Sequence, residues 1–333
     1  MSDTPLDRLV DLLRQAPAEV FLQPHNVPDP DAIASCMGLQ CVLGMRGVDT
    51  VIVYDHKIEK ANAINMLKIF NVDMLPAGEV HTLGEKDWAV LVDGQKGNSN
   101  LTDLPTDEVA VIDHHEYLGN QGYRFEDVRP EVGSCSAIIA EYFFANQLVP
   151  PNPVASALLY GIYMDTNNLS RKLSRLDLDM FYKLYAFADM SVIAELRTNA
   201  LSLEDLRLYA DAFRGVEVHG EIGFLCVSEA HDALIGAASD IVLSVIGVNI
   251  VVAYAIRAGG VKLSVRSARK EVPANALVRA LVDGIGLGGG HDHMAGGFIP
   301  AENLTTGRGE IGARLKQRAL AFFGRCCARA RHG

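Results

Sequence analysis

The sequence has no C-x-x-C pairing of cysteines. Its six, at positions 36, 41, 135, 226, 326 and 327, are scattered and mostly set among apolar neighbours. That pattern excludes a zinc ribbon and a disulfide framework, and leaves reduced, packed thiols. Long apolar runs are missing too. The longest uncharged stretch without proline, Ile241 to Ile256, falls short of the ~20 residues a spanning helix needs, and Ser244, Gly247 and Asn249 interrupt it. The opening MSDTPLDRLVDLL carries Asp3 and Asp7 where an export signal wants cations, so the expectation is a cytoplasmic protein away from membranes. Cations are scarce, 30 against 41 acids for a net charge of -11, and such a surface repels long nucleic acid. There is no internal repeat and no long Pro/Ser linker.

What is present fits a globular enzyme. At 333 residues the chain is long enough for two domains, and 49% hydrophobic with 21% charged residues excludes a disordered or low-complexity chain. The first half alternates β-rich runs with helical periodicity, which implies an α/β domain built on a parallel sheet. EVFLQPH, DTVIVYD, DWAVLVDG and EVAVIDHH read as strands, with YRFEDV as an edge strand. A helix is expected from about Asp31 to Met45, where Ile33, Met37, Cys41 and Met45 recur at helical spacing. Helical patterns then dominate to about Arg207, and β patterns return with GEIGFLCVS and the hairpin NIVVAYAIR/VKLSVRS. The expected division is 1–190, a helical connector 191–211, and a smaller α/β domain with a mixed sheet at 212–333.

Several first-half strands end in metal-binding side chains. The first runs into His25, Asp29 and Asp31, the third ends at Asp93, and the fourth ends at Asp113, His114 and His115. In an open parallel sheet the carboxyl ends of the strands face one crevice, so these residues converge. So many carboxylates resist ionising together without counter-charge, and divalent metal resolves the conflict. Imidazole mixed with carboxylate suits Mn²⁺, Mg²⁺ or Fe better than structural zinc, and two such ions sharing a carboxylate and a hydroxide make a hydrolytic centre. Singly, each residue has a plainer reading: Asp29 and Asp31 as turn and cap residues, Asp93-Gly94 as a strand-ending turn, Asp-His-His as a surface turn. Their joint placement at strand ends favours the site.

The motifs H-N-V-P-D-P-D-A-I-A-S (His25 to Ser35), L-V-D (Leu91 to Asp93), V-I-D-H-H (Val111 to His115) and G-I-Y-M-D-T (Gly161 to Thr166) resemble, in order and spacing, the four motifs of the DHH phosphoesterase superfamily. G-G-G-H (Gly288 to His291) with V-R-S (Val265 to Ser267) resembles the DHH-associated C-terminal domain. The resemblance implies two Mn²⁺ ions, one held by His25, Asp29 and Asp93, the other by Asp31, Asp93, His114 and Asp165, with Asp93 as bridge. It implies that Asp113 orients the ring of His114, and that His115 faces substrate. Arg266, Ser267, Gly288, Gly289, Gly290 and His291 would grip substrate in a cleft between the two domains, and a hinge near 190–212 would gate turnover. By residue type alone, Asp165 is only an acid after an apolar helix, Arg266 an ordinary strand arginine, and the glycine cluster a turn with backbone N–H groups open to anions.

Within that superfamily, 333 residues leave no room for the extra domain of RecJ-type exonucleases, and G-G-G-H is not a feature of manganese-dependent pyrophosphatases. The chain resembles most the branch of nanoRNases, which hydrolyse short oligoribonucleotides and 3'-phosphoadenosine 5'-phosphate. It departs from many of them at Asn167-Asn168-Leu169-Ser170-Arg171, where a glycine and an aromatic residue are usual. Arg171, Lys172 and Arg175 could there contact phosphate, or simply be solvated. Competing expectations are a cyclic-di-AMP or pApA phosphodiesterase, a phosphoanhydride hydrolase, and a nucleotide sensor without catalysis. The expected partners are a short oligonucleotide or nucleotide substrate, with no long duplex, no membrane, and a homodimer allowed. The basic run Arg314, Lys316, Arg318, Arg325, Arg329, Arg331 offers either a polyphosphate or RNA contact or a solvated terminal helix.

Overall fold

The computed structural model describes residues 4–58, 61–80, 83–98, 100–198, 203–227, 232–304 and 310–330. The chain divides into two units, Met1–Ala200 and Leu201–Gly333.

The first unit opens with α1 (Pro5–Leu13), started by a capping box in which Thr4 and Asp7 exchange side-chain and backbone bonds. There follow β1 (Val20–Pro24), α2 (Pro30–Gly44), β2 (Val51–Tyr54), α3 (Ala61–Phe70), β3 (Met74–Pro76), β4 (Trp88–Val92), β5 (Asp107–Asp113) and β6 (Phe125–Val128). Helices α4 (Cys135–Ala145), α5 (Asn152–Asp165), α6 (Arg175–Tyr185) and α7 (Met190–Thr198) complete it. The strand order is β3-β2-β1-β4-β5-β6 and every pairing is parallel. This doubly wound order reverses direction between β1 and β4, where such sheets open a ligand crevice. All of β1 and β4 is buried, as the continuous apolar run of β4 requires; in β1 the buried Gln23 donates to the Thr102 carbonyl at 2.7 Å.

Helices α2, α4 and α5 are apolar on nearly all sides and pack into the main core with Ile33, Leu39, Ile138, Phe143, Leu158 and Tyr160. Two glycines permit their close approach. A Cβ at Gly38 would lie 2.8 Å from Ile139 and 2.9 Å from Leu158, and one at Gly161 would collide with Ser136 Oγ and reach Asp31 Oδ1 at 3.0 Å. The helix ends that carry Asp31 and Asp165 are thereby drawn together.

The second unit comprises α8 (Leu203–Arg214), β7 (Glu217–His219), β8 (Ile222–Cys226), α9 (Asp232–Leu243), β9 (Ile250–Arg257), β10 (Gly260–Ser267), α10 (Ala274–Val282), β11 (Leu287–Gly290), β12 (Met294–Pro300) and α11 (Ile311–Ala330). Its sheet runs β11-β12-β10-β9-β8-β7. Only β8 with β9 is parallel among the described pairings, so this sheet is mixed. One face packs Phe224, Val252 and Leu263 on Leu277, Leu281 and Leu315; the other packs Leu225, Val251 and Ala253 on Tyr209, Leu234 and Ala238.

The segment expected as a connector holds two helices with different loyalties. Ile193 and Leu196 of α7 belong to the first unit's core, and Tyr209 and Ala212 of α8 to a core of the second. Residues 199–202 between them lie outside the described residues. YRFEDV supplies β6 at a sheet edge, as its sequence suggests. In the basic C-terminal run, Lys316 pairs with Glu217 at 2.5 Å. Arg318 donates to the carbonyls of Leu281 and Asp283 at 2.7 and 2.8 Å, closing the end of α10. Arg331 lies outside the described residues. No described helix is long and apolar enough to cross a membrane.

Candidate metal centre

His25 follows the last residue of β1, Asp93 follows β4, and Asp113 ends β5 with His114 and His115 next. Asp29 caps α2, its Oδ1 accepting the N–H groups of Asp31 at 3.0 Å and Ala32 at 3.2 Å, and Pro30 fills the first helical position. Asp29 is therefore a cap, as its plainer reading holds, and at the same time a member of the cluster. Asp31 sits in the first turn of α2, and Asp165 is the last residue of α5.

Three overlapping groups have donor atoms within 4.8 Å of one another: His25, Asp29 and Asp93; Asp31, His114 and Asp165; and Asp93, His114 and His115. Asp93 links them. Its backbone turns left-handed (φ 60°) directly after β4 while its N–H still donates to Ile112 at 2.9 Å, which swings the carboxylate into the crevice. Asp tolerates that conformation better than most residues. Asp93 Oδ2 lies 3.8 Å from His25 Nε2 and Oδ1 lies 3.3 Å from His114 Nε2. His114 Nε2 also approaches Asp165 Oδ2 at 3.2 Å and Asp31 Oδ2 at 4.0 Å.

Electrostatics make this arrangement costly without a cation. Burial, with the nearby charges of Asp93 and Asp165, pushes the Asp31 carboxyl well above its usual range. Asp165 is pushed up to about 6, chiefly by burial, with Asp29 and Asp93 adding to it against the opposing pull of His114. Burial works against a charged His114, but its 3.3 Å approach to Asp93 and the charges of Asp93, Asp165 and Asp31 prevail and hold its pKa up to about 10. Asp93 Oδ1, buried and 2% exposed as a residue, satisfies no hydrogen bond. A buried acceptor without a donor, among carboxylates that resist ionising, is the signature of a site completed by a cation. The oxygen and imidazole donors fit a divalent ion of the Mn²⁺ or Mg²⁺ kind.

Asp113 differs from expectation. Its Oδ1 meets His115 Nδ1 at 2.8 Å, not the ring of His114, which gives Asp113 only its backbone N–H at 2.8 Å. The cause is the inward turn of the His114 ring: Nε2 faces the carboxylates and Nδ1 faces the Val132 carbonyl at 3.3 Å. The Asp113 bond, with the charge of Asp93, raises the His115 pKa despite its burial. Asp113 is itself held low, since His115 and the Gln95 amide outweigh its burial.

Three further positions escaped sequence reasoning. Gln95, 1% exposed, donates to Asp113 Oδ2 at 2.7 Å and to the Glu116 carbonyl at 3.0 Å, and accepts from Leu118 N. Asn26 ties the loop after β1 to the loop after β4, donating its N–H to Asn100 and accepting from Thr102 N. The N-terminus of α4 holds Asp31: Cys135 N donates to Oδ2 at 2.7 Å and Ser136 N to Oδ1 at 2.9 Å. The only available signal for the last was Ser134, a residue type that starts helices.

In the second unit, Arg266 is 9% exposed and its Nε binds Asp240 at 2.6 Å while Nη1 donates to Ser264 at 2.9 Å. Ser267 Oγ accepts the Arg269 N–H and closes the turn after β10. Gly288, Gly289 and Gly290 form the edge strand β11 on β12, not a loop. A Cβ at Gly288 would press on Val278 at 3.2 Å and Val282 at 3.3 Å, and Gly290 has φ 140° with Ala295 Cα 2.6 Å from any Cβ; a Cβ at Gly289 would meet nothing within 4 Å. His291 is exposed, donates its N–H to Met294 at 2.7 Å, and stacks its ring on His293 with centroids 5.9 Å apart.

A doubly wound domain with a divalent-metal donor set at its switch point, followed by a separate mixed-sheet domain, defines a narrow class of α/β protein. Residues 19–162 match the DHH family N-terminal domain and residues 221–317 match the DHHA1 domain. The chain belongs to the DHH family and carries a C-terminal DHHA1 domain. It is 30% identical over 152 residues to a probable manganese-dependent inorganic pyrophosphatase of Streptococcus suis, covering 43% of this chain and 46% of that protein. Over 300 residues it is 26% identical to the cyclic-di-AMP phosphodiesterase PdeA of Listeria monocytogenes, covering 82% of this chain and 43% of that protein. The chain spans about half the length of the curated relatives it matches. An exopolyphosphatase-related protein from Bacteroides fragilis shares the fold, with a TM-score of 0.78 at 18% identity over 97% of both chains.

Proposed function

We propose that the chain is a phosphoesterase dependent on two divalent ions, Mn²⁺ by preference, which hydrolyses short oligoribonucleotides and 3'-phosphoadenosine 5'-phosphate. The observation that carries this reading is Asp93, which stands with His25 and Asp29 in one donor group and with His114 in another, while His114 in turn groups with Asp31 and Asp165. His25, Asp29 and Asp93 would hold one ion, and Asp31, Asp93, His114 and Asp165 the other. Bound there, the ions supply Lewis acidity that readies water at neutral pH and offsets phosphoryl charge.

The chain's own groups have definable tasks. With Asp113 ionised, His115 keeps one proton on Nδ1, and its raised pKa favours a second on Nε2, an N–H that would donate to a phosphoryl oxygen or pass its proton to the leaving oxygen. Gln95 holds Asp113 in place from its other oxygen. In the DHHA1 domain, His291 and the Gly288–Gly290 backbone are the candidate phosphate contacts. Ser267 stands beside them as a candidate hydroxyl donor, and Arg266 could join only by exchanging Asp240 for a phosphate.

Nucleotide esters are favoured over pyrophosphate by the extent of the matches. The pyrophosphatase relative aligns with 43% of the chain, whereas a DHHA1 domain occupies residues 221–317. The second reading, a cyclic-di-AMP or pApA phosphodiesterase, is supported by a relative of that activity covering 82% of the chain. One panel separates them: 3'-phosphoadenosine 5'-phosphate, di- to decaribonucleotides labelled at either end, cyclic-di-AMP and pyrophosphate, each with Mn²⁺ or Mg²⁺. Fastest turnover of the first two classes is expected. Faster cyclic-di-AMP cleavage selects the second reading, faster pyrophosphate cleavage selects a phosphoanhydride hydrolase, and tight nucleotide binding without turnover selects a sensor.

A further inference from the structure

Asp177 lies in the first turn of α6, is wholly buried, and belongs to none of the donor groups. Part of its role is ordinary: Oδ2 accepts the Ser174 N–H at 2.8 Å and the Ser174 hydroxyl, completing a capping box. Capping does not require its other two bonds. Oδ2 also accepts the Gly133 N–H at 2.8 Å, and Oδ1 accepts the Ser134 hydroxyl at 2.8 Å, reaching more than forty residues back along the chain.

Gly133 and Ser134 are the residues that launch α4. Ser134 is its N-cap, accepting Ala137 N at 3.3 Å, and the next two N–H groups, of Cys135 and Ser136, have no partner within the helix. They go to Asp31, one to each oxygen. Gly133 leaves no room for a side chain, because a Cβ there would stand 2.5 Å from the Lys172 carbonyl and 2.8 Å from Asp177 Oδ2. An unbroken line of short bonds thus runs from Asp177 through the start of α4 to the carboxylate of Asp31.

We infer that Asp177 is a positioning residue for the ion held at Asp31: it locks the N-terminus of α4, which sets the orientation of the Asp31 carboxylate. This rests on the metal-dependent reading above. Four donors converge on Asp177, and only an ionised carboxylate accepts them all. Asp177→Asn keeps the shape but turns an amide N–H₂ either toward the three donors that meet Oδ2 or toward the Ser134 hydroxyl that meets Oδ1.

The test is Mn²⁺ titration of the full chain by calorimetry and by electron paramagnetic resonance, read beside the melting temperature. Wild type is expected to take up two ions. Asp177→Asn is expected to weaken one of them about tenfold or more, the range for losing a supporting partner of a ligand, and to leave the other unchanged. Ser174→Ala removes the α6 cap from the same carboxylate and is expected to lower the melting temperature without changing either affinity. Should Asp177→Asn fail to fold, Ser134→Ala removes one of the two links and is expected to weaken the same ion by a smaller factor. Unchanged Mn²⁺ affinity in Asp177→Asn, or in Ser134→Ala where that variant stands in, overturns the inference alone, as does equal weakening in Ser174→Ala. A wild-type chain that takes up no divalent ion overturns the metal reading and the inference with it.

Discussion

Asp93→Asn separates the charge of the shared carboxylate from its geometry. The side chains are nearly the same shape, and Asn tolerates the left-handed backbone found at this position (φ 60°), so the strand-ending turn should survive. The metal sites should not. A ligand at 100 times its Kd stabilises the native state by about 2.7 kcal/mol per site. For a unit the size of Met1–Ala200, each kcal/mol moves the melting temperature by about 2–4 °C, so filling one site should raise it by about 5–11 °C. Because both groups draw on Asp93, the Asn variant should lose most of that shift. Asp93→Ala should lose it as well and, lacking a polar side chain at positive φ, should start about 2–4 °C lower, from a backbone cost of about 1 kcal/mol. The assay is differential scanning calorimetry of chelator-treated protein with and without Mn²⁺. A Mn²⁺ shift in Asp93→Asn equal to that of wild type would refute the shared-ligand reasoning.

Gln95→Leu removes the amide that steadies Asp113, and should lower kcat about tenfold with Mn²⁺ affinity intact; steady-state kinetics beside a metal titration checks the split. Gly161→Ala should cost about 1–3 kcal/mol through overpacking and also weaken Mn²⁺ binding, since its new methyl meets Asp31, whereas Gly38→Ala should cost stability alone; melting curves and titrations of both decide. In metal-free protein the His114 pKa stands at about 10, above its ordinary value near 6.5. The stability from protonated His114 is therefore full below about pH 6.5 and lost as pH rises through 10, so chelated protein should melt progressively lower over that window. Conversely, an ion must displace that proton, so Mn²⁺ affinity should climb across the same window with release of about one proton, measured by calorimetry in buffers of different ionisation enthalpy.

The strand-end part of the site was readable because parallel strands leave a strong trace. Blocks such as Ala89–Val92 and Val109–Ile112 are apolar throughout, and the first polar residue after each lies at the carboxyl end. Asp93 and Asp113 follow from that rule, and His25 from its place just past the end of β1, after Gln23 and Pro24. Asp165 does not, because it ends a helix whose sequence shows no reason for an acid; only the family motif marks it. Partners across the chain left no trace either. Asp113 chose His115 over His114 because the His114 ring turns toward three carboxylates, a matter of rotamer and charge, not spacing. The three-residue strands β3 and β7 are too short for a period to register. The triple glycine was misread because its demands are steric: two of its residues answer to α10 and β12, which no local pattern reveals.

These placements show why the cluster needs both layers of the domain. Strand ends alone supply His25, Asp93 and His114, which are fixed by sheet register and cannot move toward one another. The remaining acids come from helix termini, which can be brought closer only as far as helix packing allows. Gly38 and Gly161 remove the side chains that would hold α2, α4 and α5 apart. The free N–H groups at the start of α4 then make a buried Asp31 tolerable beside Asp93 and Asp165. Close packing therefore creates the like-charge conflict, and helix termini contain it until a cation arrives. A site assembled this way stores part of the chain's stability in its ligand, which is why metal affinity, pH and melting temperature should move together in every variant that touches it.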